Sequence, residues 1–197
     1  SIIRSFGINP SSKNCFRVPY RVNHSYFSKI DSHEKAYLLG VLFADGCVMR
    51  KSNQIHLISN DYDLLEFFKE KVGFTGDIQK NPLHKRAKFV AFSSIDMKKD
   101  LVKLGCVPSK SLILEFPNID DDFFWSFLLG YFDGDGSLWV SRDKKAAHFK
   151  IMSCTLFCNK LREILAGKGF VSEVRNDPKT HKKETSYIRI SSKKTIS

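Results

Sequence analysis

Two stretches of the chain are apolar on all sides of a helix and then turn acidic. One is YLLGVLFADGCVM at residues 37–49; the other is FLLGYFDGDGSLWV at residues 127–140. Unbroken hydrophobicity of this length predicts buried helices, here over 36–46 and 123–136. After each, the pattern changes period. In the first half, QIHLIS (54–59) reads as a strand, and DYDLLEFFKEKVGF (61–74) as an amphipathic helix ending near Gly73. DIQKN (77–81) and AKFVAFSS (87–94) read as a hairpin with a basic loop, and IDMKKDLVKLG (95–105) as a short helix.

The second half repeats the series. SLWVSRD (137–143) and HFKIMSC (148–154) are strands around a basic turn, and LFCNKLREILAGKGF (156–170) is a helix. VSEVRND (171–177) and SYIRISS (186–192) form a second hairpin around the loop DPKTHKKE, after which Lys193 is expected to open a last helix. The order is αββαββα, twice. Asp45 and Asp135 lie 90 residues apart, Phe74 and Phe170 lie 96 apart, and Ser94 and Ser192 lie 98 apart. The drift falls in strand-connecting loops, which accept insertions. The expected domains are a basic arm or remnant of a helical DNA-binding element over 1–30, a first repeat over 31–120 and a second over 121–197. By comparison with the first, the second repeat is expected to lack roughly twenty to thirty residues at its end. The start at Ser1 in place of Met suggests a processed or trimmed N-terminus.

Hydrophobic residues make up 42% of the chain and aromatics 13%, enough for a core and against predominant disorder. Charge adds more. Lys and Arg number 32 against 21 Asp and Glu, for a net +11 and a pI near 9.4. That balance suits a polyanion, with nucleic acid the leading class and an anionic membrane surface the alternative. No apolar run approaches a membrane span, and no secretory signal is visible. Five cysteines, an odd number with no Cys-x-x-Cys, argue against a zinc site or disulfide framework and for buried, reduced thiols. A cytoplasmic setting is expected, phage-encoded or organellar. The chain is expected to be monomeric.

The small residues explain how two apolar helices could meet. Gly40 and Ala44 share a helix face, as do Gly130 and Gly134. Glycine within a helix costs up to about 1 kcal/mol relative to alanine, and what it permits is close approach of two backbones. Such a pair would bring Asp45 and Asp135 together. Each opposes its own helix dipole, and the two repel each other, which raises one pKa. A divalent cation between them removes both costs. Hard oxygen ligands suit Mg²⁺ or Mn²⁺, and Ca²⁺ as an ion that binds without supporting cleavage. A scissile phosphate and water would complete the coordination. The plainer reading makes each Asp only a turn-capping residue before a strand.

LLGVLFADG (38–46) and LLGYFDGDG (128–136) resemble the two signature helices of the LAGLIDADG homing endonucleases, in their single-chain, two-motif form. The resemblance covers roughly residues 30–197. It implies an α+β fold: a pseudo-twofold, duplicated αββαββα unit with two saddle-shaped antiparallel sheets and a central two-helix interface. It also implies site-specific, metal-dependent hydrolysis of both strands of a long double-stranded DNA target. Carried over by residue, the metal-binding acids are Asp45 and Asp135. Asp133, opposite Phe43 of the first motif, is assigned a solvated or structural role. Lys110 in VPSKS matches a basic residue near the family's active site, there to stabilise charge at the phosphate. Asn60 matches a polar position after the second strand, whereas Cys154 occupies its counterpart. With that cysteine, and with the Lys110 counterpart falling beyond Ser197, a strand-biased or inactive enzyme is an open alternative. So is a DNA-binding regulator or RNA-splicing maturase on the same fold. The basic arm, with no splicing cysteine or terminal His-Asn, favours a free-standing or intron-encoded mobile element over an intein.

Antiparallel ribbons fit the major groove. The DNA-contact candidates of the first half are Arg50, Lys51, Asn53, Gln54, His56, Gln79, Asn81, Lys85, Arg86 and Lys88. Those of the second are Ser141, Arg142, Lys144, Lys145, His148, Lys150, Arg175, Asn176, Lys179, Lys182, Lys183 and Arg189. Strand positions suit base edges and loop lysines suit phosphates.

Overall fold

The computed structural model describes residues 20–193, except 82, 83, 85, 109, 111, 112, 141, 143–145 and 177–184. The first half runs α1 (His33–Asp45), β1 (Gly46–Val48), β2 (Gln54–Ser59), α2 (Tyr62–Lys71), β3 (Gln79–Lys80), β4 (Lys88–Ser93) and α3 (Ile95–Lys103). A 3₁₀ turn (Asp121–Phe123) leads into α4 (Phe124–Asp135), β5 (Gly136–Val140), β6 (Ala146–Cys154), α5 (Thr155–Gly167), β7 (Ser172–Asn176) and β8 (Thr185–Lys193). The fold is α+β and duplicated, with two four-stranded antiparallel sheets ordered β1-β2-β4-β3 and β5-β6-β8-β7.

Local chemistry sets the element ends. Ser32 caps α1 by accepting from the Lys35 amide, Asp61 caps α2 through the Asp63 and Leu64 amides, and Ser94 caps α3 through the Met97 amide. Gly73 (φ 64) and Gly169 (φ 83) occupy the left-handed region just past α2 and α5, where a side chain would be strained. Lys193 ends β8 and does not begin a helix: its register against Ala146 continues the sheet pairing.

Side-chain alternation gives each sheet two faces. In the first, Ile55, Leu57, Val90 and Phe92 are buried toward the helices, so Gln54, His56, Ile58, Phe89 and Ala91 lie on the opposite, open face. In the second, Ile151 and Ile188 face inward, which places His148, Lys150 and Arg189 on the open face. Residues 1–19 of the expected basic arm lie outside the described residues. From Tyr20 onward the segment packs: Val22, Tyr26 and Phe27 are buried, and the Asn23 amide donates to Val72 O at 2.8 Å. Phe68 and Phe124 belong to the core, whereas Trp125 is exposed, its ring edge-on to Phe170.

Candidate active site and nucleic-acid interface

The helices α1 and α4 pack backbone to backbone. A Cβ added at Gly40 would collide with Phe127 O, and one at Gly130 with Tyr37 O. The helices can approach this closely only because both positions are glycine. The expected pairing of the two motif stretches is what the structure contains. Beyond the contact, each helix ends in its acid and the next residue opens an edge strand. Gly46 and Gly136 follow the acids, but neither is left-handed: both are extended (φ −78° and −95°). Glycine is required there for space, since a Cβ at either would strike the preceding turn at Leu42 or Phe132.

The geometry brings together three of the four residues expected to be catalytic: Asp45, Asp135 and Lys110. Partial loss of water raises the Asp45 carboxyl above the ordinary carboxylate value, and Lys110 opposes the rise. The same loss raises Asp135. Asp45 raises it further, while Lys110 and the nearby Tyr131 hydroxyl pull it back. The Lys110 ammonium donates to Ala44 O at 3.3 Å and to Gly46 O. It therefore caps the negative end of α1 beside the two acids. Two of its three donors are used. Among the described residues, no lysine or arginine bonds the matching carbonyls at the end of α4.

Asn60, the fourth, directly follows β2. It is exposed after β2 in a shallow pocket with His84, Arg86 and Ala87. Cys154, its counterpart, is buried and donates its thiol to Leu114 O. Asp133 has a structural partner: the Tyr37 hydroxyl donates to it at 2.7 Å, tying α1 to α4. His33 opens α1, with Nδ1 3.0 Å from Ser126 Oγ.

Two neighbouring carboxylates with raised pKa values, Asp45 half-buried and Asp135 exposed, fit a hard divalent ion. Among the described residues, no group of three or more His, Cys, Asp or Glu converges on one point. The donor set therefore suits an ion such as Mg²⁺ that draws its remaining ligands from water and phosphate, and not a closed protein cage.

A family model described as a LAGLIDADG-like domain matches the sequence twice, over residues 32–102 and 123–197. The chain belongs to the LAGLIDADG family. I-SmaMI bound to an uncleaved DNA target in the presence of calcium ions is similar in fold, at TM-score 0.50 and 13% identity over 80% of this chain and 78% of that one. The meganuclease I-SmaMI bound to uncleaveable DNA with a TTCT central four matches at 0.50 and 16%, over the same shares. Full-length DUF199/WhiA from Thermatoga maritima matches at 0.50 and 17%, over 85% of this chain and 55% of that one. At these identities the likeness is one of fold. No curated protein has a matching sequence.

The open faces of this LAGLIDADG chain sort its basic residues. One row across the second sheet reads Ser137, Lys150, Arg189, Glu173. Lys150 Nζ stands 4.2 Å from the Tyr187 ring centre. Arg175 and Arg189 both bond Glu173 Oε2, at 2.7 and 3.3 Å. Trp139, 59% exposed, stacks on His148. On the first sheet, Gln54, His56 and Gln79 face the same way. His56 stacks on Phe89, and its Nε2 is buried without a partner. Burial lowers the His56 pKa, which keeps the ring neutral near pH 7.

Lys88 leaves the candidate set: it points to the helix side, its ammonium 3.9 Å from the Tyr62 ring centre. Asn81 shapes its own loop, accepting from the His84 amide. Arg50, Lys51, Asn53, Arg86, Arg142 and Asn176 are exposed. The turn holding Arg50 and Lys51 is fixed from the helix side by Lys98, which donates to Met49 O and Ser52 O at 2.9 and 2.7 Å. Lys85, Ser141, Lys144, Lys145, Lys179, Lys182 and Lys183 lie outside the described residues. Of the cysteines described, Cys47 is exposed on the open face and the other three are buried. Among the described residues, no helix is long and apolar enough to cross a membrane.

Tyr131, Ser153, Glu173 and Lys98 were not singled out by sequence. For Tyr131 a signal existed: one hydroxyl in an apolar helix, one turn before an acid.

Proposed function

We propose that this chain is a site-specific DNA endonuclease that hydrolyses phosphodiester bonds with a divalent metal. The observation that carries this reading is the meeting of Asp45 and Asp135 beside Lys110, at the ends of the two helices that lead into the sheets. The two carboxylates would hold the ion, Mg²⁺ or Mn²⁺. When bound, it supplies charge stabilisation at the phosphate and a more acidic water. The chain's own part is positional. Gly40 and Gly130 fix the spacing of the acids. Lys110 offers its remaining N–H to a phosphate oxygen, where charge develops. Basic and polar residues of the open faces hold the duplex, with Lys150, Arg175 and Arg189 at base edges or phosphates. The DNA-bound state of the I-SmaMI structures supports a duplex as partner.

The test is selection for cleavage from a randomised duplex library in Mg²⁺, followed by Asp45→Asn and Asp135→Asn on the selected target. Each variant should bind the target and fail to cut at least one strand. Intact double-strand cleavage by both variants would remove the acids from the mechanism. Selective binding without any cutting by the parent chain would instead make it a binding module, for DNA or, as a maturase, for RNA.

A further inference from the structure

The two sheets differ at an equivalent row of their open faces. Gly46 pairs with Leu57 and Leu57 with Val90, as Gly136 pairs with Ile151 and Ile151 with Ile188. One step along, the open-face row is Cys47, His56 and Ala91 in the first sheet, and Ser137, Lys150 and Arg189 in the second. The next open-face row of the first sheet, Ile58, Phe89 and Gln79, holds no charge either. The four strands of that sheet carry two cations, Lys80 and Lys88. They pair with each other, and Lys88 points to the helix side. Among the described residues, the open face of these strands therefore holds no lysine, arginine, aspartate or glutamate, in a chain of net charge +11.

A sheet face turned to water ordinarily reads polar. Here Cys47 is exposed, with Sγ 3.8 Å from Sδ of Met49, and Ile58 is 38% exposed. The exposed cations Arg50, Lys51 and Arg86 stand beyond the two ends of the sheet, in the β1–β2 turn and the loop before β4. An apolar strip between cations fits a polyanion that also presents methyl groups. The major groove of DNA does so at every A·T pair, through the thymine C5 methyl. Adenine there pairs with a glutamine amide, and guanine with an arginine fork. Gln54 and Gln79 supply amides on the first open face. On the second, Arg189 is steadied by Glu173, its partner in the row, at 3.3 Å.

We propose that the target is asymmetric in base composition. The first sheet reads an A·T-rich half-site, with Cys47, Ile58 and Ala91 against thymine methyls and Gln54 and Gln79 against adenines. The second sheet reads guanine through Arg189. This rests on the proposed function for its duplex partner, and not for the cutting. The loop cations of the first half then hold phosphates and carry no sequence information.

The experiment selects duplexes by binding from a randomised library in Ca²⁺, so no cleavage is needed. The consensus should be A·T-rich in one half and hold guanine in the other. Uracil in place of thymine removes only the methyl group. Each such change at a consensus pair of the A·T-rich half should weaken binding by the parent chain about fourfold, the worth of one buried methyl. In the other half it should cost less than about twofold. Ala91→Arg and Arg189→Ala then exchange the residues of the equivalent row. Ala91→Arg should turn one A·T preference of the A·T-rich half into a G·C preference of about tenfold. Arg189→Ala should remove a guanine preference of similar size from the mirror-related position of the other half. A consensus equally rich in G·C in both halves would overturn the proposal and leave the endonuclease reading in place. So would uracil duplexes bound as tightly as thymine duplexes, or variants that change the same half or neither. No selected duplex at all, or a preference for RNA, would overturn both.

Discussion

A Cβ on Gly134 would stand 3.0 Å from Asp45 Oδ2, across the interface from its own helix. Glycine at 134 therefore sets the room available to the opposite acid. Gly134→Ala must push Ala44 and the Asp45 carboxylate aside, an overpacking cost of about 1–3 kcal/mol. The variant should fold with a lowered Tm and cut its target far more slowly, while binding it in EDTA as before. Gly130→Ala should be harsher, because what it meets is the Tyr37 backbone, which cannot step aside. Thermal melts and cleavage assays of the two variants check the order; a Gly134→Ala protein with full activity would contradict the geometry.

Asp135 is held above the ordinary carboxylate pKa by lost hydration and by Asp45. Folding therefore disfavours its ionised form. The resulting penalty is absent below the unfolded-chain value near ~3.9, grows as pH rises, and is complete above the folded-state value. Asp135→Asn removes it. In EDTA the variant should melt above the parent chain at neutral pH, and the difference should close as pH falls toward about 4. Mg²⁺ should raise the Tm of the parent chain and leave that of the variant nearly unmoved. A variant less stable than the parent at pH 7 in EDTA would show that Asp135 is well accommodated without metal.

Lys110 lowers the pKa of both acids and satisfies two carbonyls at the end of α1. Lys110→Met keeps most of the stem and removes the charge. Stability should drop by about 1–2 kcal/mol, the worth of a charge-assisted cap. With the ammonium gone both acids titrate higher, so the rise of cleavage with pH should move to higher pH, along with a loss in kcat. A pH profile that keeps its midpoint would place Lys110 outside the electrostatics of the site.

Much of this was legible in the sequence, for definable reasons. The apolar helices, their glycines and the twofold order survive as pattern, because close helix packing and repetition constrain residue type directly. The nearness of Asp45, Asp135 and Lys110 to one another was legible because their spacing repeats or follows a motif. What stayed hidden depends on pairing. Lys88 looks like any basic strand residue until the register with Ser59 turns it toward Tyr62. Asn60 shows no link to His84 and Arg86 in sequence, and only the fold brings the three to one pocket. Tyr131 reads as core until Ser153, 22 residues on, arrives beside its hydroxyl.

That register carries a last prediction. Lys150 and Lys88 are both strand lysines over tyrosine rings, at 4.2 and 3.9 Å, but on opposite faces of their sheets. A lysine that neutralises a phosphate releases counterions, and each such contact contributes about −0.9 to the slope of log K against log salt. Lys150→Ala should weaken duplex binding and flatten that slope by about 1. Lys88→Ala should leave the slope unchanged and cost only the stability of its exposed ring contact, about 0.5–1 kcal/mol. Titrations of a labelled duplex over a range of salt concentrations, with Ca²⁺ in place of Mg²⁺ to suppress cutting, separate the two. A slope that falls equally in both variants would mean that the duplex does not lie on the open faces alone.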